Sequence, residues 1–483
     1  MPPPTPAEPL GEGGGALAAQ AVEGRRRHRR PVFWTTVVYA LMIVGAIAAF
    51  FLIRSFGETL AAPPPSSAEA GVGGPAGQVD VILHLLLALA AVIAVAQVLG
   101  KLFVHLHQPP VIGEVVAGIL LGPSLLGPEI SQWILPPSVA PFLGVIAQLG
   151  VILYMFLVGL ELNAGLLRHR AHATVATSHA SIIAPFLLGA LLALVLYPRL
   201  STSDVPFTSF ALFMGVAMSV TAFPVLARIL SDRGLQRSEL GVTAIGCAAL
   251  GDVTAWCLLA LVVGVAQARV VGGLLVFAGT FLYTALMIGL GRPLLARLVA
   301  RWDTERLPRS AVALVFLAML LSALATELIG IHAIFGAFLL GALIPHDSAV
   351  ARSFTHQLEH VVTIFLLPAF FAFTGMRTRL DLLSGAEAWM ICGVIVLVAT
   401  AGKFGGTYVA ARLTGHPARD AAALGTLMNT RGLMELIVLT IGLDLGVISP
   451  TLFAMMVLMA LATTMATSPV LRWLLPQARG GEA

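Results

Sequence analysis

One aspartate interrupts the run CAALGDVTAWCLLALVV (247–263), which is otherwise almost wholly apolar. A carboxylate at the centre of a membrane span costs roughly 2.5–3.5 kcal/mol on insertion scales, and intramembrane acids are functional by default. A buried carboxylate can hold a proton or a bare cation, rarely both. Two ligands competing for Asp252 would be the chemistry of exchange. The plainer alternative for Asp252 is a helix–helix hydrogen bond.

Lys403, in TAGKFGGTYVAARL, is the second charge at span depth. The chain has only two lysines against twenty-six arginines, so a lysine here is not a product of composition. Its ammonium could pair with a carboxylate and leave when a cation arrives, or stay as a fixed structural cation. Arg431 and Glu435 stand four residues apart, which puts them on one helix face, and a structural ion pair holding a broken helix is the expected role. Thr221 and Ala222 come just before Pro224, a residue that removes a helical hydrogen bond and frees carbonyls upstream. Those carbonyls and the Thr221 hydroxyl are hard oxygen donors suited to Na⁺ or K⁺. An alkali-cation site made by Asp252 and Thr221 is therefore expected. Glu161 closes LVGLELN at the inner surface, Glu114 lies deeper, and Arg228 snorkels toward water. His332 opens a short span, where a lone histidine is expected to be a structural hydrogen-bonder.

These residues must be carried by membrane-spanning helices. The chain of 483 residues is 58% hydrophobic and only 11% charged, with a mean hydropathy of +0.94. Soluble domains carry about 25% charged residues, so the composition is that of a polytopic membrane protein. Apolar runs lie near 80–104, 111–127, 142–161, 175–197, 208–230, 240–266, 271–291, 309–329, 331–346, 360–376, 388–412, 421–444 and 450–474. A further run at 33–53 is read as a retained N-terminal helix, with a cleaved signal as the alternative. Before it comes a disordered basic tail (1–30, ending RRRHRR), and after it a Pro/Gly/Ser linker (56–79). The domain reading is tail 1–30, extra helix 31–55, linker 56–79, transmembrane domain 80–474 and a short C-terminal tail 475–483.

Arginines set the orientation. With the basic tail inside, inner loops hold Arg168, Arg170, Arg233, Arg237, Arg292, Arg297, Arg301, Arg306, Arg309, Arg352, Arg419, Arg472 and Arg479. Outer loops hold only Arg199, Arg269, Arg377 and Arg379, as the positive-inside rule requires, with both termini cytoplasmic in the plasma or inner membrane. The net charge of +4 is thus a loop property and gives no reason to expect nucleic acid. The three cysteines, Cys247, Cys257 and Cys392, lie in apolar runs and read as small buried hydrophobes. SVTAFPVLARIL in one half and MNTRGLMELIVL in the other are broken at similar depth, which points to an inverted repeat (roughly 80–266 and 271–474) with a midplane site.

The segments HQPPVIGEVVAGILLGPSLLG (107–127), LGVILYMFLVGLELN (149–163), SVTAFPVLARIL (219–230), GDVTAW (251–256), GAFLLGALIP (336–345), KFGGTYVAARL (403–413) and NTRGLMELIVLTIGLDLGVIS (429–449) resemble, in order, the monovalent cation:proton antiporter superfamily, in its second branch of Kef-type and plant cation/H⁺-exchanger-like members. The resemblance implies an all-α bundle of thirteen core helices in two inverted repeats, the sodium/proton antiporter fold, and leaves the N-terminal helix as an addition. It also implies a homodimer, with a core domain that moves against a dimerisation domain. Asp252 matches the ion- and proton-binding aspartate, Thr221 and Ala222 the unwound crossing, and Lys403 the basic residue of the tenth family helix. Gly251 stands where many relatives have Asp, Asn or Gln. With a single carboxylate, one-for-one electroneutral exchange is the simpler expectation, although Lys403 could also carry charge. No nucleotide-binding regulatory domain and no cofactor are expected; the ligands are Na⁺ or K⁺, H⁺ and the lipid bilayer.

The function expected is therefore antiport of an alkali cation against H⁺, and not an enzyme activity, since HExxH, GxSxG and paired-histidine sets are missing. Proton-coupled export of an organic ion and passive cation conduction are the alternatives.

Overall fold

The computed structural model describes residues 37–60, 81–134, 136, 138–161, 171–235, 238–267, 270–302 and 307–475. The 1–30 tail, the linker beyond residue 60, the 475–483 tail after Leu475, and Arg168, Arg170, Arg237, Arg269, Arg306 and Arg479 lie outside those residues. All regular structure in the described residues is helical.

The apolar runs become helices because a backbone in hydrocarbon must satisfy its own N–H and C=O groups. α1 (Val37–Gly57) covers the N-terminal run. α2 (Val81–His105), α3 (Pro110–Leu121), α4 (Ala140–Glu161) and α5 (Ala171–Leu200) follow. Next come α6 (Phe207–Ser219), α7 (Phe223–Asp232) and the aspartate helix α8 (Glu239–Gln267). α9 (Val270–Leu286) runs through a widened turn into α10 (Arg292–Arg301). The remainder are α11 (Arg309–Ile329), α12 (Ala333–Leu343), α13 (Ala349–His360), α14 (Leu367–Arg377), α15 (Gly385–Leu413), α16 (Ala418–Met428), α17 (Leu433–Asp444) and α18 (Pro450–Leu474).

Ten helices in the described residues are long and apolar enough to cross a membrane, and eleven if α16 and α17, bent by 44° at their break, count as one span. α3, α6 and α12 are apolar but shorter. The chain is a multi-pass membrane protein.

The first break falls at 220–222, upstream of Pro224 as the sequence suggested, but Pro224 itself is not mid-helix. Val220 is extended, with φ −66° and ψ 139°, and Pro224 lies in the first turn of α7. There a proline's missing N–H is no loss, because first-turn N–H groups have no partner within the helix.

Packing divides into two neighbourhoods. In one, α2 packs on α3, α3 on α14, α4 on α12 and α14, and α11 on α12. In the other, α5 packs on α6, α8 and α15, while α15 packs on α16 and α18. Lys403 lies on α15 between two glycines that meet α5. A Cβ on Gly402 would come within 2.7 Å of Pro185 Cα, and one on Gly406 within 2.7 Å of the Ala180 carbonyl. Only hydrogen fits between these backbones, which is how Lys403 is brought against α5.

Candidate functional site: a buried aspartate beside two crossed, broken helices

Local apolar packing fixes α8 against the breaks. Leu226, Ile229 and Leu230 of α7, Ala244, Cys247 and Ala248 of α8, and Leu424 and Leu427 of α16 form one buried cluster. On α5, Ser178 Oγ donates to the Cys247 carbonyl at 2.8 Å. The same oxygen lies 3.6 Å from where a Cβ on Gly251 would stand. Beyond this anchor, the Asp252 side chain is 3% exposed. Among the described residues no hydrogen bond or ion pair holds its carboxylate.

The two breaks cross and bond to each other. Ala222 N–H donates to the Thr430 carbonyl at 2.9 Å, and Thr221 Oγ1 donates to the Met428 carbonyl at 3.0 Å. The Thr221 proton is thus committed while its lone pairs stay open to a cation. The Ala222 carbonyl accepts from Leu226 N–H at 3.0 Å, as the start of α7 requires.

The C-terminal end of α6 leaves carbonyls that a helix cannot satisfy internally, at the negative pole of its dipole. Two cations from the other half of the chain take them. Arg431 Nη1 donates to the Ala217 carbonyl at 2.9 Å and Nη2 to the Met218 carbonyl at 2.6 Å. Lys403 Nζ donates to the Ser219 carbonyl and, at 3.1 Å, to the Ser181 carbonyl of α5. Arg431 also meets Glu435 Oε2 at 2.8 Å, with both side chains fully buried. Thr464 of α18 secures the turn, accepting from Arg431 N–H at 2.9 Å and donating to the Arg431 carbonyl at 2.7 Å.

Lys403 therefore sits on backbone carbonyls rather than in an ion pair with Asp252, although its ammonium acts electrostatically on Asp252, Arg431 and Glu435. Asp252, Lys403, Arg431, Glu435, Thr221 and Ala222 are all buried around the crossing. Three of their hydrogen-bonding partners, Ser181, Ser219 and Thr464, and Ser178, which anchors α8 through Cys247, did not stand out in the sequence, where an isolated hydroxyl in an apolar run is common. Asn429 Oδ1, Thr430 Oγ1 and Glu435 Oε1 are buried without a hydrogen-bond partner. These orphaned oxygens, with the Asp252 carboxylate, are the donor chemistry that a hard monovalent cation takes.

Other sequence candidates lie elsewhere. Glu161 is exposed at the end of α4. Cys257 departs from the buried reading given to all three thiols: it is exposed, while Cys247 and Cys392 are buried. Cys257 lines an apolar cavity of about 430 Å³ between α8, α9, α11 and α12, where a thiol needs no polar partner.

Two crossed, interrupted helices with a buried acid beside them, in a multi-pass helical protein, are the arrangement that points to a secondary transporter. The sodium/hydrogen exchanger transmembrane family model matches residues 85–476, and the chain belongs to that family. It is 44% identical over 397 residues to the Na⁺/H⁺ antiporter NhaS4 of Synechocystis, covering 81% of this chain and 97% of that one. It is 41% identical over 414 residues to cation/H⁺ antiporter 20 of Arabidopsis thaliana, covering 82% of this chain. The chain spans about half the length of that plant relative, 49%. The solved sodium proton antiporter MjNhaP1 of Methanocaldococcus jannaschii shares the fold, with a TM-score of 0.60 at 16% identity over 83% of this chain and all of that one.

Proposed function

We propose that the chain exchanges a monovalent alkali cation, Na⁺ or K⁺, for H⁺ by alternating access at Asp252. The observation that carries this reading is a buried carboxylate without a bond among the described residues, beside a crossing whose own cations are engaged elsewhere. Lys403 and Arg431 neutralise the α6 terminus, so neither is spent on Asp252. Its charge is left for a transported ligand. Protonated Asp252 loses its proton, a dehydrated cation takes the carboxylate with oxygens such as Thr221 Oγ1, and the neutral site crosses. The bare anion is held back by the cost of burying it unpaired. That difference couples the two fluxes. Organic-ion export and passive conduction are not favoured, and both named relatives are described as cation/proton antiporters.

The same reading extends to architecture. Counting α6 with α7, α9 with α10, α13 with α14 and α16 with α17 as single crossings gives thirteen after α1, with both termini inside. The packing supports two inverted repeats: α2–α3 is matched by α11–α12, α3–α14 by α12–α4, α5–α6 by α15–α16, and α5–α8 by α15–α18. The α5-to-α8 and α15-to-α18 neighbourhood would form the moving core, and the other the scaffold of a homodimer.

The test is a pH-dye assay in proteoliposomes, titrating Na⁺, K⁺, Rb⁺ and Li⁺. Wild-type protein is expected to dissipate an imposed proton gradient on addition of Na⁺ or K⁺, and Asp252→Asn is expected not to. Exchange retained in D252N defeats the assignment.

A further inference from the structure

At the far end of α17 from the crossing, a small pocket of about 40 Å³ with a mixed polar and apolar lining opens between α4, α12, α14 and α17. Gln148, His332, Thr440 and Asp444 supply its polar lining, and Phe370 and Phe373 its apolar wall. Its volume admits roughly two or three waters. Two side-chain atoms at this pocket, His332 Nδ1 and Thr440 Oγ1, are buried without a hydrogen-bond partner. Buried polar atoms in native proteins are satisfied by protein or by ordered water. A void of this size beside two such atoms has room for the water that would satisfy them.

His332 is held there against its own backbone preference. Its φ is 76° and ψ 137°, a region that suits glycine and is costly for a residue with a Cβ. Glycine would relax the turn between α11 and α12, yet an imidazole is kept. Gln148 Nε2 of α4 lies 3.3 Å from His332 Nε2. The charged groups acting on the imidazole are Glu327 of α11 and Asp444 of α17. Glu327 Oε2 is engaged, accepting from Ala333 N–H at 2.7 Å. Asp444 is paired with Arg377 of α14, whose guanidinium sits 5.1 Å over the Phe373 ring. Asp444 lines the pocket, and its bridge to Arg377 is open to solvent, with the Arg377 and Asp444 side chains 28% and 49% exposed.

We propose that this pocket is the outer proton port of the exchanger, with His332 as the group that passes the proton between outer water and the path to Asp252. The proposal rests on the antiport reading above and replaces the purely structural role expected of this histidine. A proton arriving from outer water forms an N–H bond at one ring nitrogen. The N–H bond at the other nitrogen breaks, and its proton passes to water in the pocket. The ring is left neutral with its tautomer exchanged, and Gln148, whose amide offers a donor or an acceptor on turning over, follows either tautomer. α17 is twelve residues long and joins this pocket to the crossing. Its Ile437, Thr440 and Ile441 line the pocket on the way.

The test uses full-length protein in proteoliposomes with a pH dye, comparing wild type, His332→Gly, His332→Gln and Asp252→Asn, with and without millimolar imidazole. H332G should fold at least as well as wild type, because glycine suits the backbone at 332. It should exchange about tenfold more slowly or worse, with the half-saturating cation concentration unchanged, and imidazole should restore the rate. H332Q fills the space and should be slow without being restored. H332G or H332Q at the wild-type rate overturns the proposal. A slow H332G that imidazole leaves unchanged also overturns it, since that outcome means packing alone. Failure of the antiport reading looks different: wild type would not exchange, or D252N would.

Discussion

The last three carbonyls of α6 accept three hydrogen bonds from far along the chain, and two cations, Arg431 and Lys403, make them. Lys403 reaches Ser181 and Ser219 across 222 and 184 residues of sequence. Removing one partner of a buried hydrogen bond costs about 1–3 kcal/mol for each group left unpaired. Lys403→Met keeps the volume and deletes both bonds, so it is expected to lower stability by roughly 2–5 kcal/mol. A thermal melt of the detergent-solubilised variant, read by tryptophan fluorescence, checks this; an unchanged midpoint would mean that Lys403 is not holding the α6 end. Arg431 spans two carbonyls and Glu435 with one planar fork, which the single ammonium of Arg431→Lys cannot reproduce. The same melt should show R431K destabilised although charge is conserved. Asp252 was legible in the sequence because an acid in a greasy run is conspicuous. The seats of Lys403 and Arg431 were not, because a backbone carbonyl leaves no mark on residue type.

At the scale of the element, the site depends on how near α15 comes to α5. Gly402 and Gly406 make that approach possible, whereas a Cβ on Gly405, between them, would meet nothing within 4 Å. Gly406→Val should therefore push α15 away, draw Lys403 off the Ser181 carbonyl and abolish exchange. Gly405→Val is the matched control and should leave exchange near wild type. Both are read by vesicle exchange normalised to the amount of inserted protein, and equal loss in the two variants would contradict the packing argument. Helix existence was legible from hydropathy throughout the described chain, because a bilayer allows few alternatives. Break positions were legible only approximately. Pro224 marks its break from three residues downstream, since proline sits easily in the first turn of the helix that follows. The second break carries polar Asn429 and Thr430, and their orphaned oxygens became meaningful only once the two crossings were seen to bond to each other.

Across the whole molecule, the proposed exchange changes the ligand of one carboxylate, Asp252, while Lys403 and the Arg431–Glu435 pair keep their bonds. Gly251 withholds the second acid, and Lys403 and Arg431 remain on α6 while Asp252 changes ligand. The net charge moved is then zero when one cation replaces one proton. Exchange measured at potentials set with a gradient of the permeant anion thiocyanate, with Na⁺ as the transported ion and no K⁺ present, should be the same at 0 mV and at about −100 mV, where one uncompensated charge would be worth about 2.3 kcal/mol. A rate that follows voltage would mean that Lys403 gives up its proton during the cycle.

Competition at a single side chain is the centre of the account, and it can be measured without a membrane. Purified protein in a weakly buffered, dye-containing detergent solution should release close to one proton per chain when Na⁺ or K⁺ is added. The cation concentration for half-release should rise about tenfold for each unit of acidification, in the pH range where Asp252 is protonated before the cation arrives. Asp252→Asn should release none. Cation binding that releases no proton from wild type, or a release that survives in D252N, would contradict it.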